Sequence, residues 1–201
     1  MAVRPARGDE TAMRVLDVAE RLVQVRGFNG FSYADVAAEL RITKAALHYH
    51  FASKGELGAA LIERYCDRMA ASLAALAATD RSAAARLRGY AALYRNTLRE
   101  ERLCLCGMLA AEYQTLPQAV QSGVIRFFTL NEAWLAEVLT DGAAAGEIQL
   151  AGSAQDAAVA LVAGLEGAML VTRPFNDMAR FEAAAGPLLA GLTGTLVSAG
   201  D

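Results

Sequence analysis

Both lysines of this 201-residue chain, Lys44 and Lys54, and both histidines, His48 and His50, fall inside one eleven-residue window; every other cationic side chain is arginine. Ammonium and imidazole groups at that spacing, with Tyr49 among them, suit phosphate oxygens and guanine acceptors, and aromatic edges can meet thymine methyls. Ala45 and Ala46 are small enough to let a helix carrying these groups sit deep in a groove about 12 Å wide. Lys54 falls in the first turn of a following helix, whose open N–H groups also favour phosphate. The chemistry on offer here is binding to nucleic acid.

A second set of reactive groups is Cys104 and Cys106, with Cys66 elsewhere. Three is an odd number without framework spacing, which fits a reducing, cytoplasmic setting. On a helix, residues two apart point about 200° away from each other, so a disulfide between Cys104 and Cys106 would require the turn to unfold. Arg102 and a nearby helix N-terminus would lower a thiol pKa and open a route to electrophile sensing. Inert burial is the alternative, and Cys66, inside an apolar stripe, reads as structural. A thiol enzyme needs a nucleophile with its base, yet both histidines are far away in sequence. No H-E-x-x-H or C-x-x-C spacing is present, so neither enzyme activity, metal nor cofactor is expected.

Composition narrows the class. The chain is 55% hydrophobic, 20% charged and 7% aromatic, which excludes a disordered, collagen-like or disulfide-scaffold protein. Alanine supplies 44 positions and proline only four, pointing to helix throughout. The longest charge-free run, Ala183 to Gly200, is broken by glycines, Pro187 and threonines, so a membrane span is not expected. No apolar stretch follows the N-terminal arginines, so no signal peptide is visible. The net charge of −3 argues against nucleic acid taken whole, but residues 1–64 carry +1 and the remainder −4.

The elements that must position the window follow from periodicity and caps. Met13, Leu16, Ala19, Leu22 and Val23 mark a helix over about 10–26, closed by Gly27-Phe28. Ser32 with Asp35 opens a short helix to Leu40, and Thr43 caps another from Lys44 to about Phe51. Val36, Ala37, Leu40, Ile42 and Leu47 form the apolar underside that fixes the angle between these two. Ser53 and Glu56 begin a long helix whose stripe is Leu57, Leu61, Tyr65, Met69 and Leu73. Further helices are expected from Ser82 to Arg99, over about Leu103–Tyr113, from Pro117 to about Asp141-Gly142, from Ser153 to Arg173-Pro174, and over about Asp177–Ser198 with a possible kink at Gly186-Pro187. The expectation is an all-α protein of about nine helices: a three-helix helix-turn-helix domain at 1–54 and a helical domain at 55–201.

The run SYADVAAELRITKAALHYHFASKGEL, within Val15 to Tyr65, resembles the DNA-binding domain of the tetracycline-repressor (TetR) family of bacterial transcription regulators. The linked features are Gly27-Phe28, Asp35-Val36-Ala37, Thr43-Lys44, His50-Phe51 and Ser53-Lys54. The resemblance places Ser32, Tyr33, Thr43, Lys44, Ala45, His48, Tyr49, His50 and Lys54 at the DNA. Arg41 departs from the family pattern, standing where glycine is frequent; a positive φ there would cost arginine roughly 1 kcal/mol. His48 stands in place of a phosphate-contacting tyrosine, which would make that contact depend on pH.

What the resemblance implies for the rest is a domain that dimerises through the last two helices and holds a small effector. The small residues Ala160, Gly164, Gly167 and Ala168, with Leu188, Leu192 and Leu196, are compatible with such an interface. The expected effector set is Tyr94, Cys104, Cys106, Met108, Glu112, Tyr113, Phe127, Asn131 and Trp134, polar groups among apolar ones. An ordinary core with a wet rim has the same composition. The expected function is a repressor that binds a near-palindromic operator as a dimer and is released by a small, thiol-reactive or other effector. A constitutive DNA-binding protein without an effector is the alternative.

Overall fold

The computed structural model describes residues 7–79 and 82–193, and every regular element among them is helical. The helices are α1 (Arg7–Arg26), α2 (Tyr33–Leu40), α3 (Lys44–His50), α4 (Lys54–Thr79), α5 (Ala83–Arg99), α6 (Leu105–Ala111), α7 (Gln118–Ala144), α8 (Ala154–Thr172) and α9 (Met178–Thr193). Single 3-10 turns occupy Tyr113–Thr115 and Arg173–Phe175. The expected end of the last helix at Ser198, with Leu196, lies outside the described residues.

Local chemistry sets most of these boundaries. Thr43 Oγ1 accepts from Ala46 N at 3.1 Å, Ser82 Oγ from Ala85 N at 3.2 Å, and Ser153 Oγ from Asp156 N at 3.0 Å, each satisfying an amide that the helix cannot. At α2 the Asp35 carboxylate reaches back to Ser32 N at 2.7 Å. The Ser32 hydroxyl first, and then that amide, holds the Asp35 carboxyl below its usual range. Gly27 closes α1 with φ +83, and Arg41 follows α2 with φ 55, so arginine carries the left-handed strain that glycine would avoid.

Two elements differ from expectation, while α9 continues through Pro187 as one helix. Helix α7 runs past Asp141-Gly142 to Ala144, because a Cβ on Gly142 would lie 2.5 Å from both Ala83 and Ile148; glycine serves packing there. The segment expected as one helix to Tyr113 is α6 followed by a 3-10 turn.

The described residues divide into two compact units, and the division is not a single cut at residue 54. The first unit contains the chain to Asp67 together with Leu105–Ile125. Its core is built from Val15, Ala19, Leu22 and Val23 of α1, Val36, Leu47, and Leu57, Leu61 and Ile62 of α4. Helix α4 and the start of α7 approach closely because Gly58 and Gly123 lack side chains: a Cβ on Gly58 would meet the Phe28 ring at 2.7 Å and Val120 at 2.9 Å, and one on Gly123 would meet Ile62 at 2.6 Å. Arg64 of α4 bonds Asp17 at 2.8 Å and the buried Glu20 at 2.9 Å, fixing α4 against α1.

The second unit contains Arg68–Cys104 and the chain from Arg126 onward. Tyr90, Phe127, Leu135, Leu139, Leu165 and Phe181 are fully buried in it. Helix α8 packs on α5 and α9, and Gly164 lets Leu188 of α9 approach to 2.6 Å of its absent Cβ. Arg95 of α5 pairs with Glu182 of α9 through two contacts, one at 2.9 Å, which lowers the Glu182 carboxyl below its usual range. The stretch Ala154–Phe175, comprising α8 and its 3-10 turn, is long and apolar enough to cross a membrane by length and composition.

Candidate functional site

Helix α3 presents its window as two faces. Leu47 is fully buried against α1 and α2, while Lys44, Ala45, His48 and Tyr49 are exposed, Tyr49 to 86%. Exposure of a tyrosine to that degree leaves its ring available to a partner. Thr43 is spent as the α3 cap. Tyr33 lies beside His48, ring centroids 4.7 Å apart, and donates its hydroxyl proton to Phe51 O at 2.9 Å. Burial first, and then Glu56, pushes the Tyr33 hydroxyl up to about 12. His50 packs edge-on against Tyr49 at 5.3 Å, and Ser32 is occupied with Asp35.

His48 Nδ1 contacts Ala52 O at 3.1 Å, and a carbonyl can only accept, so Nδ1 carries the proton. In the neutral ring Nε2 is then an acceptor, and only the imidazolium can donate to a phosphate through it. Lys54 is placed differently from the expectation of a phosphate contact. Its ammonium donates to Phe31 O and lies over the Phe28 and Phe31 rings, 4.8 and 4.3 Å from their centroids. Burial lowers its pKa, opposed by Glu112 and Asp35. The ammonium holds the α1–α2 corner together, so its charge is directed into the unit.

The residues expected to hold an effector separate into two groups. Cys106, Met108, Glu112 and Tyr113 belong to the first unit, whereas Tyr94, Cys104, Phe127, Asn131 and Trp134 belong to the second. The Glu112 carboxylate accepts from Phe28 N at 2.5 Å and Asn29 N at 3.2 Å, the amides just past α1. Gly27 makes this possible, since a Cβ on it would meet Glu112 Oε1 at 2.7 Å. Replacing Glu112 with Ala removes two charge-assisted contacts and is expected to destabilise the protein by about 2 kcal/mol in urea unfolding.

The second group forms a buried polar cluster. Tyr90 OH lies 3.0 Å from Tyr94 OH and donates to Asn131 Oδ1 at 3.0 Å, while Asn131 Nδ2 donates to Phe127 O at 2.7 Å. Trp134 stacks on Tyr90, centroids 5.9 Å apart. Burial raises both tyrosine hydroxyls. Glu166 of α8 joins Tyr94 and Cys104, and its buried Oε1 has no hydrogen-bond partner. Burial first, then the Cys104 thiol, pushes the Glu166 carboxyl well above the usual carboxylate range. The sequence-based set omits Tyr90 and Glu166. Two signals mark them: Tyr90 precedes Tyr94 by one helical turn, and Glu166 is the single charged residue between Asp156 and Arg173. A separate open cleft between the start of α8 and α9 is lined mainly by small apolar residues, and its Ser153 and Asp156 already bond each other at 2.7 Å.

The described residues combine a capped helix-turn-helix, the architecture of DNA-binding proteins, with a separate helical unit that contains a polar core. Residues 15–61 match the family described as bacterial regulatory proteins, tetR family, and residues 83–186 match the tetracyclin repressor-like C-terminal domain. A TetR-family regulator from Agrobacterium tumefaciens superposes with a TM-score of 0.90 at 32% identity, covering 93% of this chain and 100% of that one. A TetR regulator from Legionella pneumophila gives 0.84 at 30% identity, covering 96% and 100%. The transcriptional regulator AcuR of Cereibacter sphaeroides is 28% identical over 150 residues, 72% of this chain and 68% of that protein. The chain belongs to the TetR family of transcriptional regulators, DNA-binding proteins and not enzymes.

Proposed function

We propose that this regulator is a repressor that binds a near-palindromic operator as a dimer and leaves it when a small effector occupies the second unit. The observation that carries the reading is the outer face of α3, where Lys44, Ala45, His48 and Tyr49 are exposed together beside a buried Leu47. Lys44, Ala45, His48 and Tyr49 are proposed to enter the major groove, with Tyr33, Thr43 and His50 at its edge. Replacing Lys44 with Ala is expected to weaken operator binding and to reduce the slope of log affinity against log salt by about one. An unchanged slope would remove Lys44 from the phosphate contacts.

The dimer is proposed to form through α8 and α9. Val159, Leu170 and Val171 are exposed on α8, 43%, 61% and 63%, and Ala163 and Gly167 lie between them at helical spacing. A second copy covering that stripe accounts for its apolar character without a membrane, and it supplies two α3 helices for two half-sites. A cytoplasmic location follows from this role.

Effector release requires a molecule that binds one of two states better. A thiol-reactive effector would act at Cys104, which lies against Glu166; Cys104 and Cys106 are both buried. Local opening must precede such a reaction. Cys104→Ser is expected to abolish release of the operator by an oxidant and to leave DNA binding intact. A full oxidant response in Cys104→Ser would exclude that chemistry.

A further inference from the structure

The turn between α2 and α3 contains an arginine where both backbone and charge favour another residue. Arg41 takes φ 55 and ψ 42 immediately after α2. Its N–H lies 3.3 Å from Ala38 O, and Ile42 N lies 3.0 Å from Ala37 O. This pair of bonds is the Schellman close of a helix, in which the left-handed position is ordinarily glycine. Glycine adopts that conformation without the Cβ clash that arginine meets. Strain alone does not single out Arg41, because Glu101 and Asn176 also have positive φ. Its charge environment does. The two acids of α2 are already taken: Asp35 pairs with Arg26 at 3.8 Å, and Glu39 pairs with Arg21. No acidic residue stands between Glu39 and Glu56, and the Lys54 ammonium is committed to Phe31 O. Arg41 and Lys44 are both exposed, and neither side chain has an ion pair or hydrogen bond among the described residues. Two uncompensated cations therefore stand three positions apart around the Thr43 cap. Within the fold this arrangement adds strain and repulsion and brings no contact.

Resting on the reading above that α3 enters the major groove, we propose that Arg41 binds a phosphate of the operator backbone at the rim of that groove. A helix with its side chains is about 10–12 Å across and the groove about 12 Å wide, so α3 fills it from wall to wall. The chain leading into α3 must then pass the rim, where the phosphates stand. Two peptide steps, at most about 7 Å, separate Arg41 from the Thr43 cap, and the long side chain extends beyond them. A guanidinium meets phosphate oxygens through paired N–H donors. Such a contact fixes the register of α3 without reading sequence. Glycine would relieve the turn but could not make it.

Three substitutions separate charge from strain. Arg41→Gly removes both, Arg41→Gln removes the charge and keeps a left-handed side chain, and Arg41→Lys keeps both. The full-length protein is melted without DNA and titrated with a selected operator between about 50 and 200 mM salt. Arg41→Gly is expected to melt about 3 °C higher than the parent and to bind the operator about tenfold more weakly. Arg41→Gln is expected to melt with the parent yet bind as weakly as the glycine variant. Arg41→Lys is expected to stay within about threefold of the parent affinity. In both uncharged variants the slope of log affinity against log salt falls by about one for each α3 on the DNA, and a scrambled duplex shows the same loss.

A loss confined to the operator would assign Arg41 to a base and overturn the phosphate contact. Unchanged affinity and salt slope in Arg41→Gly and Arg41→Gln would overturn it while leaving the groove reading of α3 intact. Affinity and melting temperature falling together in Arg41→Gln would also overturn it, since the arginine would then serve the fold. The groove reading fails on separate evidence, an Ala45→Glu variant that binds the operator as the parent does.

Discussion

Replacing Ala45 with Glu is expected to weaken operator binding by about 100-fold or more while leaving the melting temperature unchanged. Ala45 is exposed in the first turn of α3, on the face opposite the buried Leu47. A carboxylate at that position suits the helix dipole, and the Thr43 cap is untouched, so α3 itself is not weakened. At the DNA the same change does two unfavourable things. It inserts a longer side chain where a small one allows close approach, and it sets a negative charge against phosphates and guanine acceptors. Electrophoretic mobility shift against a selected operator, with a thermal melt alongside, separates the effects. Unchanged affinity would mean that the outer face of α3 does not enter the groove.

The second large effect concerns pH and Glu166. The folded protein holds this carboxyl protonated well above the usual carboxylate range, chiefly through burial, whereas in the unfolded chain it ionises near pH 4.3. Below the unfolded value both states hold the proton and the contribution is fully present. As pH rises between the two values only the unfolded state releases its proton, so stability falls by at most about 1.4 kcal/mol per pH unit until the folded group titrates. The groups known to face the carboxyl are the Tyr94 hydroxyl and the Cys104 thiol, neither of them a cation that could compensate. Glu166→Gln has no such proton to lose and keeps the size and shape of the side chain. Urea unfolding from pH 4.5 to 8 is expected to show similar stabilities at the acid end. Near neutrality the variant should be more stable by more than about 1 kcal/mol. Other carboxylates, such as Asp35 and Glu182, titrate in both proteins and cancel in the difference. Parallel pH profiles would mean that Glu166 is ionised in the fold.

Much of the DNA-binding unit was legible because its signals are local. Ser32, Thr43, Ser82 and Ser153 cap helices within three residues of themselves, and Gly27 and Arg41 declare their turns by φ alone. What escaped depends on distant partners. Lys54 has the residue type and position of a phosphate contact, but its ammonium is occupied by Phe31, 23 residues earlier. Glu112 has the polarity of a pocket residue, yet its partners are amides 83 and 84 positions away. The α4 stripe expected at every fourth residue drifts by about 40° per step. Ile62 and Cys66 are accordingly buried in line with Leu57, Leu61 and Leu73, with Tyr65 and Met69 at the margin. Glu166 escaped for the same reason, because the raised carboxyl follows from burial and from the Cys104 thiol 62 positions earlier.

Two copies of α3 are proposed to read a two-fold-symmetric operator. Selection of random duplex DNA by the purified, reduced, full-length protein at moderate salt tests this most directly. The expected result is enrichment of a near-palindrome with half-site centres about one helical turn, or a multiple of it, apart. Enrichment of a single asymmetric half-site would contradict the dimeric reading, and no enrichment at all would contradict sequence-specific binding by the free protein.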